Sequence, residues 1–233
     1  MRPRWHAYWL FCSLVIMPGS VCAQNRAELR LRVVSTLPGV QRAVPAVAWL
    51  TPLHGTAIPP LDPKEHYTIL QKNRTFLPHL LVIPVGSVVQ FPNADPFYHN
   101  VFSLFEGIRF DLGLYEAGSH KSVTFSREGV SYIFCDIHPE MSAVVISLST
   151  PLYAVADATD SLAVLNIPPG DYRLHVWIEG VPQHILDGLG RQVHVSSHSL
   201  DLGTFRAPIA RPGQMTHTNL FGKAYDTNPH SPY

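Results

Sequence analysis

The stretch Val130-Ser131-Tyr132-Ile133-Phe134-Cys135-Asp136-Ile137-His138-Pro139-Glu140-Met141-Ser142-Ala143-Val144-Val145-Ile146-Ser147-Leu148 decides how this chain is read. Its flanks, 130–134 and 143–148, are rich in β-branched and aromatic residues, the composition of strands. Between them Cys135, His138 and Met141 recur at intervals of three. A loop this short curls on itself, presents all three side chains from one side, and returns the chain in the opposite direction.

Upstream lies Phe97-Tyr98-His99-Asn100, between Phe91-Pro92-Asn93 and Val101-Phe102-Ser103-Leu104. A strand here delivers His99 to the same end of a β-sandwich as the loop. One thiolate, two imidazoles and one thioether make a set suited to mononuclear copper. Two His and a Cys in a plane with a weak axial Met are the ligands of blue-copper electron-transfer centres. Taken singly, each residue has an ordinary reading: a lone Cys is a small buried hydrophobe, and a lone His or Met is packing or surface. The four together in this order point to a metal. Glu140, beside Met141, is the competing oxygen ligand. Asn100 is placed to tie the two ligand segments by hydrogen bonds, and the His138 ring edge is expected at the surface within a collar of Phe97, Pro139 and Met141.

Cysteine usage agrees. Residues 1–23 read as a secretory signal: Arg2 and Arg4, an apolar run from Tyr8 to Met17, and Val21-Cys22-Ala23 as a small-residue cleavage site. The apolar run is too short to span a bilayer, so no membrane span is expected after cleavage. Cleavage removes Cys12 and Cys22 and leaves Cys135 as the one thiol, unable to form an internal disulfide. It also removes Arg2 and Arg4 from 17 basic residues and none of the 17 acidic ones, leaving about −2 by formal count. No basic stripe suggests nucleic acid. The expected location is periplasmic or secreted.

Further strands are read at 29–35, 46–50, 79–83, 87–91, 101–105 and 121–126, with turn residues between, the pattern of an antiparallel sandwich. Residues 51–64 carry four prolines and read as loop. Pro151 marks a boundary. A second set of strands is read at 152–155, 161–166, 171–177, 192–196 and 200–204, with Ile167-Pro168-Pro169-Gly170-Asp171-Tyr172 as a turn. The expected organisation is a signal at 1–23, a copper domain at 24–150 with an N-terminal strand extension, a second β domain at 151–206 and a Pro-rich tail at 207–233. Within the tail, 219–225 has the composition to pack back on a domain. His79, His120, His194 and His198 lack a ligand pattern.

At His99 and at Cys135, His138 and Met141 the chain resembles the cupredoxins. The Cys-x2-His-x2-Met loop is similar to that of amicyanin, and Pro-Phe-Tyr-His-Asn-Val to the first-ligand region of plastocyanins. The stretch 71–150 also resembles bacterial secreted proteins of the methylamine-utilization or plastocyanin-like type. The resemblance implies one type 1 copper, cycling between Cu(II) and Cu(I), with His99, Cys135 and His138 in the plane and Met141 axial. Ile-Pro-Pro-Gly-Asp-Tyr-Arg-Leu-His-Val-Trp resembles transthyretin-like, carboxypeptidase-regulatory modules, often grouped with carbohydrate-binding folds, which implies a stabilising or docking module with carbohydrate or protein contact through 151–206. The expected fold is all-β: a cupredoxin Greek-key sandwich followed by a smaller transthyretin-like sandwich.

The expected function is one-electron carriage between a donor and an acceptor redox protein, without catalysis. A multicopper oxidase places His directly beside the copper Cys, whereas Cys135 is flanked by Phe134 and Asp136. A binuclear centre needs two bridging Cys. A Cys-His hydrolase leaves His99 and Met141 unexplained. The rival readings are a copper-handling or surface-binding protein and a nitrosocyanin-like redox enzyme using Glu140.

Overall fold

The computed structural model describes residues 27–37, 44–59, 61–62, 66–104, 107–209 and 218–225. The expected signal, 1–23, lies outside them, as does most of the expected tail. In chain order the elements are β1 (Ala27–Ser35), β2 (Ala46–Pro52), β3 (Tyr67–Thr68), β4 (Leu70–Gln71), β5 (Phe76–Leu77) and β6 (Leu80–Pro84). Next come β7 (Val88–Pro92), β8 (His99–Ser103), β9 (Phe110–Tyr115), β10 (His120–Thr124), β11 (Gly129–Phe134) and β12 (Ser142–Leu148). The rest are β13 (Tyr153–Val155), β14 (Ser161–Ile167), β15 (Gly170–Ile178), α1 (Gln183–Leu189), β16 (Arg191–Val195) and β17 (Leu200–Ala207). The protein is all-β but for α1, and no described helix is long and apolar enough to cross a membrane.

The metal-loop strands belong to a five-stranded sheet, β6-β12-β11-β8-β9. A three-stranded sheet, β10-β7-β3, closes over it, and Val89 and Phe91 of β7 share a buried core with Val101, Ile133, Ala143 and Val145. The other face of β12 also stays dry. Val144, Ile146 and Leu148 enter a second core with Ala46, Leu50, Tyr172 and Trp177. Strands covered on both faces read as unbroken apolar runs rather than alternations, which is why 143–148 is uninterrupted but for Ser147.

The second core is enclosed by the sheets β13-β2-β15-β16 and β14-β1-β17. Here the structure departs from the expected 24–150 unit. The first two strands pair with strands beyond Pro151: β1 with β14 (antiparallel) and β17 (parallel), β2 with β13 and β15. The second sandwich therefore draws on both ends of the chain. Alternate burial of Ala27, Leu29, Leu31 and Val33 matches the alternation in the sequence, but a period of two identifies a strand without naming its neighbour.

The Pro-Pro-Gly turn enters β15 as expected. Gly170 is needed because a Cβ there would stand 2.6 Å from the Thr56 side chain, and the Tyr172 hydroxyl closes the turn on the Pro168 carbonyl at 2.8 Å. Two polar contacts join the sandwiches: the Trp177 indole donates to the Tyr132 hydroxyl at 3.1 Å, and the His79 ring pairs with the Glu179 carboxylate.

Candidate metal centre

The ladder between β11 and β12 ends at Phe134 opposite Ser142, and Phe134 also faces Phe102 of β8. Residues 135–141 are thus released from both neighbours at the point where β8 brings in His99. Three donor atoms meet there. His99 Nδ1 and His138 Nδ1 lie 3.0 Å apart, and Cys135 Sγ is 3.8 Å from the first and 3.6 Å from the second. Among the described residues this is the one group of three His, Cys, Asp or Glu side chains close enough to share an ion.

Burial grades the four expected ligands. His99, Cys135 and Met141 are fully buried, and His138 keeps 7% exposure. Met141 packs in the same core cluster as Cys135, and its amide donates to the His138 carbonyl at 3.1 Å, closing the loop. Pro139 and Glu140 are exposed, and Glu140 is not in the donor cluster. Because Met141 is buried, it is no part of the surface collar.

The protonation pattern favours cation binding. Asp95 Oδ2 lies 2.9 Å from His99 Nε2. A carboxylate accepts there only if Nε2 carries the proton, so the lone pair of neutral His99 sits on Nδ1, facing the cluster. Burial, with the Arg74 charge behind it, pushes the His138 ring down to about 4, leaving it neutral at pH 7. Burial pushes the Cys135 thiol up, opposed by hydrogen bonds from the amides of Asn100, Ile137 and His138. Three amide donors aimed at one sulfur hold the charge of a thiolate once a cation displaces the proton. One thiol and two imidazole nitrogens at a dry point fit a borderline-soft ion.

Asn100 ties the ligand segments through its backbone amide on Cys135, while its side chain donates to Asp111 Oδ1 at 2.7 Å. Sequence reading missed Asp95; its one local signal is an acid four residues before His99. Asp95 also accepts the amides of Asn73 and Arg74 at 2.6 and 2.9 Å. The Arg74 guanidinium lies over the Phe97 ring, which rests against both His99 and His138. The rim around His138 is therefore cationic as well as aromatic. His120, His194 and His198 stand apart from the cluster, and His194 pairs with Asp171 at 2.8 Å.

No family model and no curated protein matches the chain. Part of it is similar to a purple cupredoxin from Nitrosopumilus maritimus, at 25% identity over 36% of this chain and 100% of that one, with a TM-score of 0.32. Amicyanin from Paracoccus versutus gives 23% identity over 40% of this chain and 94% of its own, with a TM-score of 0.33. A copper-containing nitrite reductase from Thermus scotoductus gives 23% identity, 50% of this chain and 28% of its own, with a TM-score of 0.35. The functional reading is carried by the site's own geometry.

Proposed function

We propose that this protein is a non-catalytic one-electron carrier with a cupredoxin-like domain and a single type 1 copper, which His99, Cys135, His138 and Met141 would hold. The observation that carries the reading is the convergence of two Nδ1 atoms and one Sγ within 4.8 Å at a buried point, with Met141 buried in the same core cluster as Cys135. Such a copper would supply a Cu(II)/Cu(I) couple whose potential Met141 and the surroundings of the Cys135 sulfur would tune. The chain's part is to hold the donors fixed and dry. Asp95 sets the His99 tautomer, three amides hold the sulfur, and Phe97 screens both imidazoles.

His138 is the least covered of the four, so electrons pass by its edge to donor and acceptor proteins. Phe97 and Tyr98, 36% and 50% exposed, supply the apolar contact that small redox interfaces use. The protein works in the periplasm or outside the cell, and the second sandwich serves as a stabilising or docking module.

The spectrum of copper-loaded protein tests this. An intense blue band that Cys135→Ser abolishes supports it. A pale tetragonal Cu(II) spectrum selects copper handling instead, and a red form would bring Glu140 in as ligand.

A further inference from the structure

We propose that residues 218–225 form a strap that positions the ligand loop, with Tyr225 and Asp136 as its two anchoring residues. The backbone leaves its ladders at Phe134, so among the described residues no strand pairs with Cys135. The strap supplies a partner: the Tyr225 hydroxyl donates to the Cys135 carbonyl at 2.8 Å, across 90 residues of sequence. One residue on, Asp136 Oδ1 accepts the Leu220 amide at 2.6 Å. Both contacts fall on the first two residues of the loop.

The strap is built to hold that shape. Asn219 Oδ1 accepts the amides of Phe221 and Lys223 at 3.0 and 2.9 Å, and the Asn219 amide donates to the Lys223 carbonyl at 2.9 Å. Gly222, at φ +73°, supplies the left-handed residue this tight turn needs. Burial pushes the Tyr225 phenol far above its ordinary value, so it remains a donor at every working pH.

Fixing the Cys135–Asp136 peptide also fixes the groups on either side of it. Sγ direction is set by the Cys135 backbone, and the amides of Ile137 and His138 that point at the sulfur lie one and two peptides further on. Without the strap the loop keeps its sequence but loses its outer support, and the donors spread over a wider range of positions. A metal site tolerates little of that.

Hydrogen exchange on the full-length metal-free protein provides the test, and copper affinity a second reading that rests on the proposed metal function. Tyr225→Phe and Asp136→Ala are expected to speed exchange at the Ile137 and His138 amides by about fivefold, the loss of one hydrogen bond, and to weaken copper(I) binding by a similar factor. Asp136→Asn, which keeps the acceptor, and Phe221→Ala, at a residue 74% exposed, are expected to match the wild type. Unchanged exchange at those two amides in Tyr225→Phe overturns the strap. So does faster exchange spread through β6 and β12 with a lowered melting temperature, which marks a general folding defect. If exchange responds as expected but no variant or wild type binds copper, the strap stands and the copper reading falls.

Discussion

Asp95 holds His99 from behind: its Oδ2 lies 2.9 Å from Nε2 of the ring while the carboxylate also takes the amides of Asn73 and Arg74. Asn73 and Arg74 both adopt left-handed φ, +55° and +53°, a strained pair for non-glycine residues that the carboxylate stabilises. Burial pushes the Asp95 carboxyl up, yet the hydrogen bonds outweigh it and keep the group below its ordinary value, so it stays ionised. The residue that sets the His99 tautomer thus also shapes the turn carrying Arg74 to the rim.

Asp95→Ala is expected to lower copper affinity about 10–100-fold, the usual loss when a partner behind a ligating His is removed. Asp95→Asn, which keeps an acceptor, should lose less. Competition against a copper(I) chelator measures both, and equal affinity in the Ala variant and wild type would refute the role.

Metal uptake should release protons. The Cys135 thiol is raised above its ordinary value by burial, so it is protonated in the metal-free protein at neutral pH and binding expels that proton. Apparent affinity is expected to climb about tenfold per pH unit between pH 5 and 8. His138, at about 4, adds a second proton only below that range. Chelator competition at several pH values checks the slope, and a flat profile would mean the thiol is not a ligand.

The His79–Glu179 pair predicts the opposite trend for stability. The Glu179 hydrogen bond, the largest influence, raises the His79 ring above its ordinary 6.5, burial acting against it. Between 6.5 and that raised value the folded chain binds more protons than the unfolded one. This part of the stability is therefore complete below 6.5 and is lost as pH climbs through the folded value. Glu179→Gln should flatten the trend in urea titrations of metal-free protein from pH 6 to 9. His79→Ala, which strands a carboxylate whose side chain is 3% exposed but opens it to water from the one-third-exposed His79 side, should cost about 1–3 kcal/mol.

A fragment of residues 24–150 is expected to fold poorly. It keeps all four proposed ligands but deprives β1 and β2 of their partners and exposes Val144, Ile146 and Leu148 to water. Unpaired strands and uncovered apolar faces aggregate. Light scattering and urea unfolding of the fragment against the full chain would show it, and a cooperative, monomeric fragment would contradict the shared core.

The loop proposed to hold the metal was legible because its information is local. Cys135, His138 and Met141 sit at one spacing between two apolar strands, and β12 is an unmistakable run. His99 was legible from the strand on its C-terminal side. The illegible parts depend on distance. Nothing in 27–35 names β14 or β17 as neighbours, and nothing near Tyr225 names Cys135. Strand β9 escaped because its alternation is broken at Gly113, and α1 because seven residues are too few for a helical repeat. Asn100 was rightly singled out as the tie between ligand segments, but through its amide, which every residue except proline possesses.

Strand β12 begins at Ser142, the residue after Met141, and is packed on one side by the core that holds Cys135 and on the other by the core that holds Trp177. It is a party wall between two rooms. The loop that carries the donors is hinged to that wall, so its footing is the stiffness of both sandwiches together. A load applied to the far room, by a docked protein or a surface, reaches the hinge through β12 and through the Trp177–Tyr132 and His79–Glu179 contacts that tie the two sandwiches.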